Sequence, residues 1–263
     1  MTKHAVFYWA AGRGMYVGKV EREYKRSCSQ STLMVSMGDE LELIIPQTQE
    51  RVTSKSILVP AGAEVLIRTH GNPVTLGFLD SNNRDATALI QRMKGSLVAE
   101  EQAVYYNLSG AGDVVAFGEH LQKQRPSATE AENIADEWLF AQIRRQSLSD
   151  PRVDEAIRII RATLSENISV DLIAAQVGLS ASRLTEIFKN VTGVPIRRFR
   201  LWQRVLATAA NLKDCNNLTD AAITAGFADY AQFSRTYRQL AGGAPSDAQK
   251  NTEIHAEQFL AGK

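Results

Sequence analysis

Cysteine is nearly missing from this 263-residue chain, which has only Cys28 and Cys215. They stand far apart, with neither the CxxC spacing of a metal site nor the dense framework of a disulfide scaffold. Both therefore read as free thiols, with a redox-sensing pair as the alternative. Long apolar runs are missing as well. No stretch approaches the roughly 20 residues needed to cross a bilayer, and MTKHAVFYWAAGRGMY has neither the apolar core nor the cleavage context of a secretory signal. A cytoplasmic protein with no membrane partner is the expectation. The four histidines, His4, His70, His120 and His255, fall in neither HxH nor HExxH spacing, and no GxSxG elbow or Walker loop occurs. These absences argue against a metalloenzyme, a nucleophilic hydrolase and a P-loop NTPase. No catalytic residue, metal or cofactor is expected.

What is present is a globular composition, 44% apolar and 22% charged, with length enough for two domains. The net charge of +1 conceals a division. Residues 151–263 hold 14 Lys+Arg against 11 Asp+Glu, whereas residues 1–150 hold 16 against 18. Between Arg183 and Lys213 the cations are Arg183, Lys189, Arg197, Arg198, Arg200, Arg204 and Lys213, and Glu186 is the sole acid. Such a field suits phosphate, and it equally suits a solvated helical face.

The first hundred residues alternate. TLMVSMGDELELII places Leu33 and Val35 before a Met37-Gly38-Asp39 turn and Leu41, Leu43 and Ile45 after it, the pattern of a half-buried hairpin. SILVPAGAEVLIRTHGNPVTLGFL breaks at Pro60-Ala61-Gly62 and at Gly71-Asn72-Pro73, giving three short strands and a small antiparallel barrel or sandwich. From Asp80 the period turns helical through Ala86, Leu89, Ile90 and Met93, and Gly95 supplies a stop. Residues 96–126 show no clear period, with Ser109-Gly110-Ala111-Gly112 marking a loop. A helix is predicted from about Thr129 to Gln146 on the stripe Ile134, Trp138, Leu139 and Ala141, to pack on the barrel or pair with a second copy. Asp150 as N-cap and Pro151 at the first helical position start the next domain.

In AAQVGLSASRLTEIF, residues 174–188, a single glycine separates two short apolar-periodic segments. Ala174 is small where a second helix crosses. Gly178 can take the left-handed conformation that ends the first helix, and Ser169 and Ser180 are N-caps. This is a helix-turn-helix, and it recurs. AAQVGL at 174–179 returns as AAITAGF at 221–227, and FKNVTGVP at 188–195 returns as YRQLAGGAP at 237–245. Two units joined by a helix from Pro195 to about Leu212, roughly 27 Å long at ~1.5 Å per residue, could reach successive major grooves about 34 Å apart.

On these residues, with Phe188, Gly193, Pro195 and Phe199 in FKNVTGVPIRRF, Arg204, and LTDAAITAGFADYAQFSRTYR, the C-terminal part resembles the DNA-binding domain of AraC/XylS transcription regulators. The LVPAG turn and strand order resemble the cupin-like sensor barrels fused to that family. Two departures stand out: Ala248 and Gln249 follow Pro245 where the family carries an aromatic-Arg pair, and KRSCSQS lacks the histidine pair of metal-binding cupins. The resulting fold is α+β: a cupin-like β-barrel (1–126), a connecting helix (127–149), an all-α double helix-turn-helix domain (150–250) and a tail (251–263).

Helical periodicity assigns the reading surface independently of the resemblance. In the first unit Leu184, Ile187, Phe188 and Val191 turn inward, leaving Ser182, Thr185, Glu186 and Lys189 outward. In the second, Phe233, Tyr237 and Leu240 turn inward, leaving Ala231, Ser234, Arg235 and Arg238 outward. Base contacts are assigned to Ser182, Thr185, Glu186, Tyr230, Ala231, Ser234 and Arg235. Arg235 suits guanine O6 and N7, and Glu186 a cytosine amino group. Tyr230 lies nearer the buried side and is read also as packing. Phosphate contacts are assigned to Lys189, Arg197, Arg198 and Arg238, for which ordinary solvated side chains are the alternative. Double-stranded promoter DNA is the expected partner. RNA polymerase, a small-molecule effector and a second copy of the chain are the others that this class admits. Trp9, Tyr16, Tyr24 and His70 either line an effector pocket or are plain core. The rival readings are a cupin-type enzyme with an accessory helical domain, and a barrel that serves only for dimerisation or polymerase contact.

Overall fold

The computed structural model describes residues 4–10, 12–20, 23–26, 29–79, 82, 84–99, 102–137 and 150–256. The N-terminal half contains β1 (Ala5–Ala10), β2 (Arg13–Lys19), β3 (Glu23–Arg26), β4 (Thr32–Ser36), β5 (Leu41–Ile44), β6 (Arg51–Ser54), β7 (Ser56–Val59), β8 (Val65–Arg68) and β9 (Pro73–Phe78). After these come α1 (Arg84–Ile90), β10 (Met93–Ala99), β11 (Gln102–Leu108), α2 (Ala111–Gln124) and α3 (Ala128–Ala135). The C-terminal half contains α4 (Pro151–Ala162), α5 (Val170–Gln176), α6 (Ala181–Thr192), α7 (Ile196–Asn211), α8 (Leu218–Thr224), α9 (Tyr230–Ala241), α10 (Pro245–Asn251) and β12 (Thr252–Ala256).

The strands form two sheets: an eight-stranded one ordered β10-β11-β7-β4-β9-β2-β1-β12 and a four-stranded one ordered β3-β8-β5-β6. Pairing is antiparallel among the described strands except for β12, which runs parallel to β1. The α+β class and the mostly antiparallel sheet agree with the sequence reading. In place of the expected barrel, the described residues show these two sheets.

Between the sheets lies a core built from both, including Met34, Ile57 and Val74 from the large sheet and Leu41, Leu43, Val65 and Ile67 from the small one. The outer face of the large sheet is covered as well. Leu33, Val35 and Leu58 meet Leu89 of α1 and Val114 of α2, while Val6, Tyr8 and Val17 meet Phe117, Leu121 and Ala131. This double coverage explains two differences from the sequence. All five residues of β4 are buried, so TLMVS is a central strand and not half of a wet-faced hairpin; β4 and β5 belong to different sheets. The predicted helix through Met93 to a stop at Gly95 ends instead at Ile90, and both Met93 and Gly95 lie in β10.

Residues 111–124, which showed no period, form α2, whose N-cap Gly110 has φ of +83°. The predicted 129–146 helix is described only over its start. There α3 opens with a capping box, Ser127 with Glu130, and buries Ala128, Ala131 and Ala135, packing on β1. Trp138, Leu139 and Ala141 lie outside the described residues, as does Cys28. Cys215 is a free thiol.

The start of α4 is as expected. Asp150 accepts from the Arg152 backbone N–H at 3.0 Å and from its guanidinium at 2.6 and 2.9 Å, with Pro151 in the first turn. The Arg152 guanidinium is the main influence holding the Asp150 carboxyl down at about 2. A depressed folded-state pKa contributes stability that is complete above the ordinary carboxylate range and is lost as pH falls through the folded value. Asp150→Ala is therefore expected to cost about 0.5–2 kcal/mol near neutrality. The gap between variant and parent should narrow as pH falls from about 5 towards 2, measured by urea unfolding at stepped pH. A gap independent of pH would show that the carboxylate is not the stabilising group.

The halves meet at several places. The Ala61-Gly62 turn rests on the Gly193 turn: a Cβ on Gly193 would lie 2.9 Å from Ala61 O, and one on Gly62 3.0 Å from Gly193 O. Two motifs read separately in the sequence, LVPAG and FKNVTGVP, thus meet backbone to backbone. Trp202 of α7 is buried in a cluster with Trp9 and donates from Nε1 to Gln30 Oε1 at 2.5 Å. Finally, β12 adds the end of the C-terminal half to the edge of the N-terminal sheet.

Candidate nucleic-acid interface

Each of the four helices in the two helix-turn-helix units begins with a side chain that accepts from the backbone N–H three residues on: Ser169 for α5, Ser180 for α6, Asn217 for α8 and Asp229 for α9. These caps satisfy amides that a helix start leaves orphaned, and they fix where α6 and α9 begin. The turns depend on glycine, with φ of +70° at Gly178 and +96° at Gly226. In the first unit Ile173, Ala174, Leu184, Ile187 and Phe188 close a core with Val153, Ala156 and Ile160 of α4 and Phe199 of α7. Ala222, Phe227, Phe233 and Leu240 close the second around Trp202, Val205 and Leu206. The rod α7 thus serves both cores, which explains why only one of its sixteen residues, Arg197, is exposed.

Arg204 is buried in that rod with no acid beside it. Its guanidinium donates from Nε and Nη2 to Leu164 O at 2.9 and 2.7 Å, using a carbonyl just beyond the end of α4. Burial, and then the neighbouring Arg200, push its pKa down. A cation at a helix C-terminus is favoured by the free carbonyls there. The Arg204 of the sequence motif therefore ties the two units together and is not aimed at DNA.

Ser182, Thr185, Glu186 and Lys189 are exposed together along α6, as periodicity predicts. Glu186 pairs with Arg183 at 2.9 Å, with side chains 58% and 54% exposed. An exposed pair of this kind is worth little and exchanges readily for a base or phosphate. Sequence reasoning assigned Arg183 no role beyond the local field, although its i,i+3 spacing to Glu186 was visible. In α9, Ala231, Arg235 and Arg238 are exposed. Tyr230 is half-buried with its ring 6.0 Å from that of Phe233, which favours its packing reading. Tyr237 faces inward, and burial pushes its phenol up to about 12.

Two assigned residues are less exposed than their helical positions predict. Ser234 is buried, 6% exposed, although Thr185, the residue at the same position after its own N-cap, is exposed. The two units differ in their surroundings: α9 is the reading helix that touches β3 of the N-terminal half. Arg198 is half-buried with its Nε out of solvent, and its carbonyl accepts from Ser29 Oγ at 3.4 Å across the seam. It is therefore less open than a fully solvated cation. Arg197, one residue earlier, is exposed.

Between the halves lies a cavity of about 390 Å³, lined among others by Phe7, Tyr16, Leu76, Phe78, Trp202 and Leu206. Of the four residues considered from sequence as a pocket, Tyr16 lines this cavity and Trp9 is buried in the cluster behind it. His70 sits in the turn after β8 with φ of +53°. The Tyr24 side chain lies outside the described part.

Two capped helix pairs with exposed polar faces, mounted on one rod, define a double helix-turn-helix module. Residues 173–251 match the family model described as a helix-turn-helix domain. Over 107 residues, 40% of this chain, the sequence is 31% identical to the arabinose operon regulatory protein of Escherichia coli. It is 26% identical to the HTH-type transcriptional regulator GbdR of Pseudomonas aeruginosa over the same length. The match covers 36% and 29% of those proteins, so the chain spans about a third of the length of these relatives. Residues 173–251 are thus similar to the helix-turn-helix domain of these regulators. Both relatives are regulators by name.

Among solved structures, an apo ToxT variant of Vibrio cholerae superposes with a TM-score of 0.59 at 13% identity, over 91% of this chain and 97% of that one. Wild-type ToxT with a bound unsaturated fatty acid gives 0.55 at 14%, over 93% and 92%. The two-domain fold is therefore shared along nearly the whole chain. Among the described residues no helix is long and apolar enough to cross a membrane.

Proposed function

We propose that this protein is a sequence-specific regulator of transcription that binds double-stranded promoter DNA in the cytoplasm. Its DNA affinity is set by an apolar small molecule held between the halves. The observation that carries the DNA reading is the pair of capped helices α6 and α9, with exposed Ser182, Thr185, Glu186 and Lys189 on one and Ala231, Arg235 and Arg238 on the other. Arg235 reads guanine, Glu186 accepts from cytosine, and Lys189, Arg197 and Arg238 hold phosphates. RNA polymerase and a second copy of the chain are further partners under this reading.

Support for the effector comes from the cavity, whose mostly apolar lining comes from both halves, so a ligand there contacts each. A ligand shifts DNA binding only to the extent that it favours one arrangement of the halves over another. The ToxT structure with an unsaturated fatty acid makes palmitoleate a reasonable first probe.

Selection from a randomised duplex pool with the full chain, followed by affinity measurement on the enriched sequence, tests the reading. Arg235→Ala should cost about 1–3 kcal/mol on that sequence and relax preference at one position. Arg197→Ala should weaken all sequences alike and flatten the salt dependence. Failure to enrich any sequence would overturn the specific-regulator reading. Equal losses on enriched and scrambled duplexes for Arg235→Ala would remove its base-reading role.

A further inference from the structure

The last helix, α10, carries Ala248 and Gln249 where the family it resembles has an aromatic-Arg pair, and the chain then leaves the helical domain altogether. With no residue between them, α10 passes into β12, which pairs with β1 in the register Ala5 with Thr252 through Trp9 with Ala256. The two faces of β12 follow those of β1. Ile254 and Thr252 line the cavity beside Phe7, while His255 stacks on Tyr8 with ring centroids 4.8 Å apart. Glu253 meets Arg125 of the N-terminal half at 2.6 Å, and Lys213 Nζ donates to Ala256 O at 3.0 Å.

This attachment controls where α9 sits. β12 touches α10 and α7, and α10 packs on α9. The same α9 neighbours β3, and Ser234 on α9 is buried where its counterpart Thr185 is exposed. The second reading helix is therefore held beside the N-terminal half, with one position of its outward face covered. The attachment is also short. It has five residues, four of them only half-buried, in a parallel pairing at a sheet edge. Elements with few buried apolar contacts open locally without global unfolding.

We propose that β12 is a detachable strap. While it stays paired with β1, α9 is kept against β3 and cannot seat fully in a major groove; its release frees the second unit to bind. The proposal rests on the DNA-binding reading of α9 but not on the cavity's holding a ligand.

Closing the strap covalently tests it. Phe7 and Ile254 are register partners that line the same cavity, so Phe7→Cys with Ile254→Cys can form a disulfide across the two strands. The background carries Cys28→Ser and Cys215→Ser. Binding of the full chain to a pool of mixed-sequence duplexes is read by fluorescence anisotropy, oxidised and then reduced. The oxidised form should bind on the order of tenfold more weakly than the same protein reduced. A chain ending at Asn251 should bind at least as tightly as the reduced form. Equal binding of oxidised and reduced protein, or tighter binding when oxidised, overturns the proposal. So does absence of binding in both forms, which would remove the DNA role of α9 itself. Hydrogen exchange on the unmodified chain tests the strap without DNA: β12 amides should exchange much faster than those of β4 and β9. Equal protection would show that β12 does not detach.

Discussion

Replacing Trp202 with alanine is expected to cost about 3–5 kcal/mol, among the larger losses that a single substitution produces. Two effects add. The indole is 3% exposed and packs within one cluster with Trp9, Val205, Phe227 and Phe233, with Phe78 at 5.4 Å between ring centroids. Its removal leaves a cavity that α7, pinned by both helical cores, cannot close. It also strands Gln30, which is 1% exposed and whose amide is otherwise satisfied: Nε2 donates to Gly12 O at 3.1 Å and Leu79 O at 2.8 Å, and Oε1 accepts from Trp202. Trp202→Phe separates the effects, since it keeps most of the ring and loses the hydrogen bond. It should cost about 1–3 kcal/mol, the cost of leaving a buried acceptor unpaired. Because the cluster joins the halves, Trp202→Ala should also split the urea transition into two where the parent shows one. No loss for Trp202→Phe would mean that the Gln30 bond contributes nothing, and equal losses for the two variants that the ring packing contributes nothing. A single unbroken transition would mean that the halves are held together elsewhere.

Parts of the structure fixed by short-range chemistry could be read in the sequence. Asp150 with Pro151, Ser169, Ser180 and Gly178 each act on backbone groups within a few residues, and the structure puts each where its residue type requires. The outward face of α6 was readable for the same reason, because Ser182, Thr185, Glu186 and Lys189 stay exposed in the folded chain. Strand partners were not. TLMVS and LELII alternate well enough to form a hairpin, but a strand buried on both faces loses the contrast from which pairing is inferred. Nor was β12: TEIHA has one large aliphatic residue in five and acquires its meaning only from an edge 250 residues earlier in the chain. Ser234 and Arg198 fail in the same way. Each is polar at a position that helical geometry turns outward, and each is less exposed than that geometry alone predicts, a tertiary fact with no local signature.

The two turn glycines carry the last prediction, because they look alike in sequence and differ in surroundings. Gly178→Ala should cost about 1–2 kcal/mol, the strain of a left-handed residue with a Cβ. Its φ is +70°, and nothing lies within 4 Å of where that Cβ would stand. Gly226→Ala adds a collision to the same strain. With φ of +96°, its Cβ would lie 2.6 Å from Leu164 O and 2.9 Å from Arg204 Nε. These are the two atoms whose hydrogen bond at 2.9 Å ties α4 to α7. The carbonyl belongs to backbone and cannot swing aside as a side-chain end would, so the methyl must part the two units or break the bond. Overpacking of this kind costs about 1–3 kcal/mol beyond strain, for a total of about 2–5 kcal/mol. Urea unfolding of both variants with a common slope measures the difference. Salt-dependent DNA affinity should then show Gly178→Ala close to the parent and Gly226→Ala weakened, because the second alters the spacing between α6 and α9 as well as stability. If the two substitutions cost the same, the turn at Gly226 is free of α4, and the rigid seam between the units must lie in α7 alone.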